Sequence, residues 1–231
     1  MNIAIIPARG GSKRIKNKNI KKFNKKPIIE YTLKILKKSN IFDLIVLSSD
    51  SNKICKLVKK IGFDLVLLRN KNLAKDTTDT KSVIKQVIFD ISKNLKIENV
   101  CCVYPCNPFL QINDLKDCLK ILKKNKSKFI FPVTNYSHPI DRAFKLNKSG
   151  KVKFLKKENA NKNTQSFQKS FHDAGQFYWG KKSVWLKNIL LHTNGLGYQI
   201  PNYRVVDIDN LNDWKKAEII YKGISSKKKI N

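Results

Sequence analysis

Five short apolar runs, Ile3–Pro7, Phe42–Leu47, Phe63–Leu68, Val100–Tyr104 and Phe129–Val133, are separated by stretches of helical period. That alternation constrains the chain most, because strand–helix–strand units close into a parallel sheet with right-handed crossovers. Apolar runs such as Ile3–Ile6 also suit strands covered on both faces. The end signals predict where the helices lie. Pro27 opens one that runs to Lys38, with Ile28, Tyr31, Leu33, Ile35 and Leu36 on its apolar side. Ser51 caps a second, predicted over 52–61 and ended by Gly62. A third is predicted from the Asp76–Thr80 stretch to about Asn94, and a fourth over 112–124, capped near Asn113 or Asp114.

The rhythm changes after Thr134. Ala143–Leu146 and Val152–Leu155 read as a hairpin around Asn147-Lys148-Ser149-Gly150. A polar stretch from Glu158 to Lys169 has no period, and Phe171–Gly180 is aromatic and β-prone. Ser183–Leu191 is predicted as a helix, Tyr203–Ile208 as a strand and Leu211–Tyr221 as a last helix, with a frayed tail from Ser225. The expected organisation is an α/β body over 1–134 and 186–231, with a β-rich excursion over 135–185.

The first strand leads into Ala8-Arg9-Gly10-Gly11-Ser12-Lys13-Arg14-Ile15-Lys16-Asn17-Lys18-Asn19. Pro7 has no N–H for the ladder, and two glycines permit a backbone whose amides converge on one point. Arg9, Ser12, Lys13 and Lys18 add cations and a hydroxyl, a set suited to a polyphosphate. Neither G-x-G-x-x-G nor G-x-x-x-x-G-K-S/T fits the spacing. The alternative is a basic surface turn. The position past a first strand favours a ligand site, since open α/β sheets bind at the carboxyl ends of their strands.

At the other end, Asp207-Ile208-Asp209 would put two carboxylates on one face of a strand, with Ile208 buried opposite. Adjacent like charges raise each other's proton affinity unless a cation lies between them, and Mg²⁺ takes one or two carboxylates with water and phosphate oxygens. The competing reading makes Asp209 the cap of the last helix and Asp207 a solvated residue.

Bulk properties exclude several classes. A net charge of +31 comes from 48 cationic residues, but only Arg9, Arg14, Arg69, Arg142 and Arg204 are arginine. The lysines are spread over every segment rather than clustered with aromatics, which argues against a dedicated nucleic-acid module. The field still attracts anionic substrates and weak, salt-dependent contact with DNA. No run approaches the roughly 20 apolar residues of a membrane span, no leader precedes the first strand, and a cytoplasmic location is expected. The five cysteines show neither zinc spacing nor a disulfide framework.

The string Ile5-Ile6-Pro7-Ala8-Arg9-Gly10-Gly11-Ser12-Lys13-Arg14-Ile15, ending in Lys18-Asn19, resembles the signature of the acylneuraminate cytidylyltransferases, or CMP-nonulosonate synthetases. Asp207-Ile208-Asp209-Asn210-Leu211-Asn212-Asp213-Trp214 resembles the family's metal-binding end. The resemblance covers nearly the whole chain. It implies a Rossmann-like, mostly parallel sheet of the nucleotide-diphospho-sugar transferase type, with sugar contacts and a homodimer interface in the excursion. It implies CTP as one substrate, an acidic nine-carbon sugar as the other, and Mg²⁺ on Asp207 and Asp209. Arg9, Lys13, Lys18 and Asp209 would carry catalysis. Ala8, Gly10, Gly11, Ser12, Asn19, Arg69, Thr78 and Thr80 would bind CTP, with the segment 73–78 lining the cytosine pocket. Tyr104, Arg142, His172, Gln176 and Tyr178 would meet the sugar. Tyr104 stands where sialic acid members carry glutamine, and Leu110 where they carry arginine; this departure and the His172–Trp179 string favour the pseudaminic acid branch. N-acetylneuraminate, legionaminate and Kdo are the alternatives within the class.

Overall fold

Apolar runs bury both faces only if helices cover a sheet on two sides, and the chain folds that way. The computed structural model describes residues 1–70, 73, 78–125 and 128–227. In chain order the elements are β1 (Asn2–Pro7), a ribbon of β2 (Lys22–Phe23) and β3 (Lys26–Pro27), α1 (Ile28–Ser39), β4 (Leu44–Ser49), α2 (Asn52–Lys60), β5 (Leu65–Leu68), α3 (Thr80–Ile91), β6 (Asn99–Val103), α4 (Ile112–Lys124), β7 (Phe129–Asn135), β8 (Phe144–Leu146), β9 (Val152–Phe154), β10 (Phe171–Asp173), β11 (Phe177–Lys181), α5 (Lys182–Leu186), β12 (Gly195–Gln199) and α6 (Leu211–Lys227). The main sheet runs β10-β7-β11-β6-β1-β4-β5, and β12 also pairs with β7. β6, β1, β4 and β5 are mutually parallel, as is the β12–β7 pair. β11 and β10 are the antiparallel members.

Side-chain alternation sorts β1 into two cores. Ala4 and Ile6 face α1, α2 and α4 through Leu33, Leu36, Val58, Leu115 and Leu119. Ile3 and Ile5 face α3 and α5 through Ile84, Val87, Ile88 and Trp185. The mostly parallel, helix-flanked sheet expected from the alternation is therefore present. A third cluster is aromatic: Phe23 meets Tyr31, Trp214 and Tyr221 edge-on at 5.5, 5.6 and 5.5 Å. It includes Ile15 and Ile208, so the loop after β1 and the segment before α6 are anchored on one apolar knot.

Several sequence expectations are corrected. The segment predicted as a strand over 203–208 instead begins with a single 3-10 turn at Asn202–Arg204, and residues 205–209 stay outside the sheet. Pro201 removes a donor at its start, and Arg204 is drawn to Asp114 (2.7 Å). The strand that joins the sheet is β12, where a Cβ on Gly195 would come within 2.3 Å of Phe131. Only glycine allows this approach. The helix predicted over 183–191 stops at Leu186, after Trp185 is tied to the Val100 carbonyl (3.1 Å). The chain leaves the sheet between residues 136 and 170, shorter than the excursion expected over 135–185. The expected hairpin lies there as β8–β9. Phe171–Asp173 and Phe177–Lys181 return to the sheet, and β11 inserts beside β6 with Trp179 fully buried. The tail expected to fray from Ser225 is helical through Lys227; residues 228–231 lie outside the described residues. Among the described residues no helix is long and apolar enough to cross a membrane.

Candidate functional site

The carboxyl ends of β1, β5 and β6 open on a cavity of about 630 Å³. The loop after β1 forms one wall. Its course is pinned by backbone contacts: the Ala8 amide donates to the Ser48 carbonyl (2.9 Å), and the Gly10 amide to Asp50 Oδ1 (2.8 Å). A Cβ at Gly10 would lie 2.7 Å from Ser51 Cβ, so the loop can sit against the start of α2 only without one. Asn19, 5% exposed, donates from Nδ2 to the Arg9 carbonyl (2.8 Å), and Cys106 Sγ donates to Asn19 Oδ1 (3.1 Å). Burial pushes the Cys106 thiol up to about 12, which keeps it protonated and a donor.

Arg9, Ser12, Lys13, Arg14 and Lys18 line the cavity on this side, and Asp207 and Asp209 line it opposite. Lys18 Nζ bridges the two walls, donating to the Ile208 carbonyl (2.7 Å) and lying 3.6 Å from Asp209 Oδ1. Arg14 Nη1 meets Asp209 Oδ2 at 2.8 Å. The basic glycine turn and the acidic pair therefore face one hollow. The pair lies outside any strand, but Ile208 is buried between its two acidic neighbours, so the alternation read from the sequence holds without the ladder.

The capping alternative for Asp209 is excluded by a capping box. Asn210 Oδ1 accepts from the amides of Asn212 (2.8 Å) and Asp213 (3.0 Å), while Asp213 Oδ2 accepts from the Asn210 and Asp209 amides, both at 3.0 Å. With the cap supplied by Asn210, the Asp209 carboxylate is left to the cavity. Burial, and then the charge of Asp209, hold the Asp207 carboxyl above the usual carboxylate range; Lys18 and Arg14 offset this in part. Two adjacent carboxylates, one of them partly desolvated and raised by the other, form a donor set that a hard divalent cation would relieve.

Arg69 and Thr80 stand at the ends of β5 and α3, with Thr78 beside them on the cavity. Asp79 caps α3, accepting from the Ser82 amide (2.8 Å). Arg69 donates to the Ser48 carbonyl (2.8 Å), Ser48 Oγ (3.2 Å) and the Leu73 carbonyl (3.4 Å). Its guanidinium thus clamps the end of β4 to the following loop. Of the segment expected to line the cytosine pocket, residues 74–77 lie outside the described residues.

Tyr104 and Gln176 close the remaining wall. Gln176 Nε2 donates to the Arg204 carbonyl (2.8 Å), which fixes the amide's orientation. Arg204 in turn forks onto Asp114 at 2.7 and 3.3 Å. Tyr178 lies behind Tyr104 at 4% exposure, with ring centroids 5.6 Å apart, and does not line the cavity. Two further candidates are elsewhere. His172 borders a separate cavity of about 570 Å³ with Tyr136, His138 and Tyr203, because it and Asp173 point to opposite sides of β10. Arg142 is held in the excursion by Thr164 Oγ1 (3.0 Å) and the Ala160 carbonyl (3.5 Å). Ala8, Gly10 and Gly11 shape the loop by backbone and do not line the cavity.

Sequence reasoning passed over Arg14, Arg204, Asp114 and His192. A signal existed for the arginines: in a chain that uses lysine almost everywhere, four of its five arginines line this cavity. The cap expected near Asn113 or Asp114 is instead at Gln111, and Asp114, 4% exposed, faces Arg204.

A model of the family described as "Cytidylyltransferase" matches residues 3–199. The chain is 38% identical over 223 residues to a pseudaminic acid cytidylyltransferase of Campylobacter jejuni, covering 96% of each. It is 26% identical to an N-acylneuraminate cytidylyltransferase of Escherichia coli, over 93% of this chain and 51% of that protein. Among solved structures, CMP:2-keto-3-deoxy-manno-octonic acid synthetase complexed with CTP shares the fold, with a TM-score of 0.72 at 12% identity over 96% of this chain and 98% of that one. The family match over most of its length, together with the 38% relative, shows that this chain belongs to the cytidylyltransferase family of nucleotidyltransferase enzymes.

Proposed function

We propose that the chain couples CTP to pseudaminic acid, releasing pyrophosphate and the CMP-sugar, with Mg²⁺ as cofactor. The observation that carries the reading is the single cavity in which the glycine-loop cations face Asp207 and Asp209, with Tyr104 and Gln176 on a third wall. The 38% relative, itself a pseudaminic acid cytidylyltransferase, supports the choice of sugar. In the reaction the anomeric hydroxyl oxygen attacks the α-phosphorus in line. A new P–O bond forms, the bond to the β-phosphate oxygen breaks, and the hydroxyl proton is lost. Such transfers depend on positioning and charge neutralisation more than on covalent chemistry.

Arg9, Lys13 and Lys18 neutralise the triphosphate, and Ser12 with the loop amides adds hydrogen bonds. Mg²⁺ held by Asp207 and Asp209 neutralises phosphate oxygens when bound. Arg69, Thr78 and Thr80 bound the cytosine end, with Arg69 acting as a clamp. Tyr104 and Gln176 orient the sugar, with Tyr178 supporting Tyr104. Arg142 and His172 lie off this cavity within one chain, and a homodimer would give them a cavity to complete. Ile140, Phe144, Leu146, Val152 and Leu155 are exposed apolar residues on the excursion, which suits such an interface.

A pyrophosphate-release assay tests the reading: CTP, UTP, ATP and GTP against pseudaminic, legionaminic and N-acetylneuraminic acids and Kdo, with and without Mg²⁺. Release is expected with CTP and pseudaminic acid, and its loss on chelation. Preference for another acidic sugar overturns the substrate assignment. Silence across the panel, with tight length-dependent duplex binding at physiological salt, overturns the enzyme reading in favour of nucleic-acid binding.

A further inference from the structure

The cations of the cavity are unevenly placed. Arg9, Lys13, Arg14 and Lys18 belong to the loop after β1, and Arg69 clamps the end of β4 to the chain after β5. Among the described residues, the wall of Tyr104 and Gln176 has a single cation, Arg204. Its backbone is stitched into that wall. The Arg204 carbonyl accepts from Gln176 Nε2 (2.8 Å), and the Gln176 carbonyl accepts from the Tyr104 amide (2.9 Å). Its side chain, 12% exposed, rests on Asp114, at 6%, with Nη1 donating to Oδ2 (2.7 Å) and Nη2 to Oδ1 (3.3 Å). Asp114 lies in the first turn of α4, and the next residue, Leu115, is fully buried in the core, so the brace is fixed to the body of the fold.

Counting donors shows what this guanidinium still offers. Arginine carries five N–H groups in one plane and no acceptor. Asp114 takes one hydrogen from each terminal nitrogen, which uses the Nη1–Nη2 end. The Nε–H and the second hydrogen of Nη2 form the side edge, and no described residue accepts from it. That edge is again two-pronged, with the spacing that pairs a carboxylate. Asp114 neutralises the guanidinium from behind. The cavity itself keeps an excess of cations over the carboxylates of Asp207 and Asp209, so a second anion is not turned away.

We propose that Arg204, braced by Asp114, is the specificity residue that reads the carboxylate of the sugar, through its Nε–Nη2 edge. The inference rests on the CMP-sugar reading and names the group that makes the site choose an acidic sugar over a neutral one. Arg142, the arginine expected to meet the sugar, is held in the excursion away from this cavity. A buried fork built for one anion rejects the uncharged analogue strongly, because the mismatch leaves desolvated donors unpaired.

The test compares pseudaminic acid with its methyl ester, which keeps the sugar and masks the charge. In pyrophosphate release by the parent, kcat/KM for the acid is expected to exceed that for the ester by at least about a hundredfold. Arg204→Met combined with Asp114→Leu removes both charges, so no buried acid is left alone. This variant is expected to lose the preference, with acid and ester within about threefold of each other and the KM for CTP within about twofold of the parent. Arg204→Lys keeps a charge against Asp114 but not the second edge, and a preference of about tenfold is expected. It also covers the case in which the double variant fails to fold. A merely structural role for Arg204 would weaken acid and ester alike and leave their ratio unchanged. A parent indifferent to esterification, a parental ratio in the folded variants, or a loss confined to the KM for CTP overturns the inference while the enzyme reading stands. A parent that releases no pyrophosphate with any acidic sugar overturns both.

Discussion

Replacing Asp209 with asparagine is expected to lower pyrophosphate release by at least about a hundredfold while leaving the melting temperature of the ligand-free protein unchanged or higher. The two halves have separate causes. The carboxylate is one of two hard oxygen donors facing the glycine-loop cations, and on the proposed metal assignment its loss would remove half of the protein's hold on a divalent ion. The fold does not depend on it. Its pair with Arg14, 67% exposed, contributes little, and Lys18, 3.6 Å away, keeps its hydrogen bond to the Ile208 carbonyl when the carboxylate is gone. The α6 cap belongs to Asn210 and Asp213, and the Asp209 amide survives the substitution.

The ligand-free protein also gains. Asp207 is held above the usual carboxylate range first by burial and second by Asp209, so removing that charge brings it back toward the ordinary value. A carboxyl raised in the fold contributes stability that is complete below its unfolded pKa and lost as pH rises through the folded one. Relief by the asparagine is therefore expected above that window and not below it. Melting curves with and without Mg²⁺ and CTP separate the effects: the parent is stabilised by the ligands and the variant is not. A variant that keeps parental turnover at saturating Mg²⁺ removes Asp209 from the metal site.

How much of this was legible beforehand depended on whether the information was local. β1, β4, β5, β6 and β7 were legible as apolar runs, since each strand needed only its own sequence to declare itself, whereas their order in the sheet came only with the fold. The glycine loop was legible for the same reason: Gly10, Arg9 and Lys13 are within a few residues of the strand that aims them. What failed was long-range. Phe177–Lys181 looked like part of an excursion, and only the fold reveals that it pairs with β6 at 78 residues' remove, Trp179 against Cys101. β12 was missed because its glycines carry no apolar pattern; Gly195 lets Phe131 approach, and Gly197 lets Val133. The same limit applies to the site. Asp173 shows no local sign of its partner, because His192 reaches it from 19 residues away.

Asp114→Ala is expected to destabilise the protein by about 3–5 kcal/mol, the largest stability loss of any single charge removal proposed for this chain. Asp114 and Arg204 have side chains only 6% and 12% exposed, and they form a two-point fork across 90 residues of sequence. Truncating the acid leaves a guanidinium that can neither lose its proton nor reach water easily, and that uncompensated charge is the source of the cost. For a chain of this length the loss corresponds to roughly 6–20 °C in melting temperature. The double variant Asp114→Leu with Arg204→Met removes both charges, and is expected to recover most of that stability. Activity is expected to part company with stability at this point. The Arg204 side chain lines the cavity, so a protein that melts like the parent should still bind the sugar poorly without its charge. Arg204→Lys makes the same point more gently, because one ammonium cannot reproduce a two-point fork. Thermal melts read beside the KM for sugar and for CTP check the claim. A melting temperature within a degree or two of the parent for Asp114→Ala would show that the buried pair does not hold this wall of the site in place.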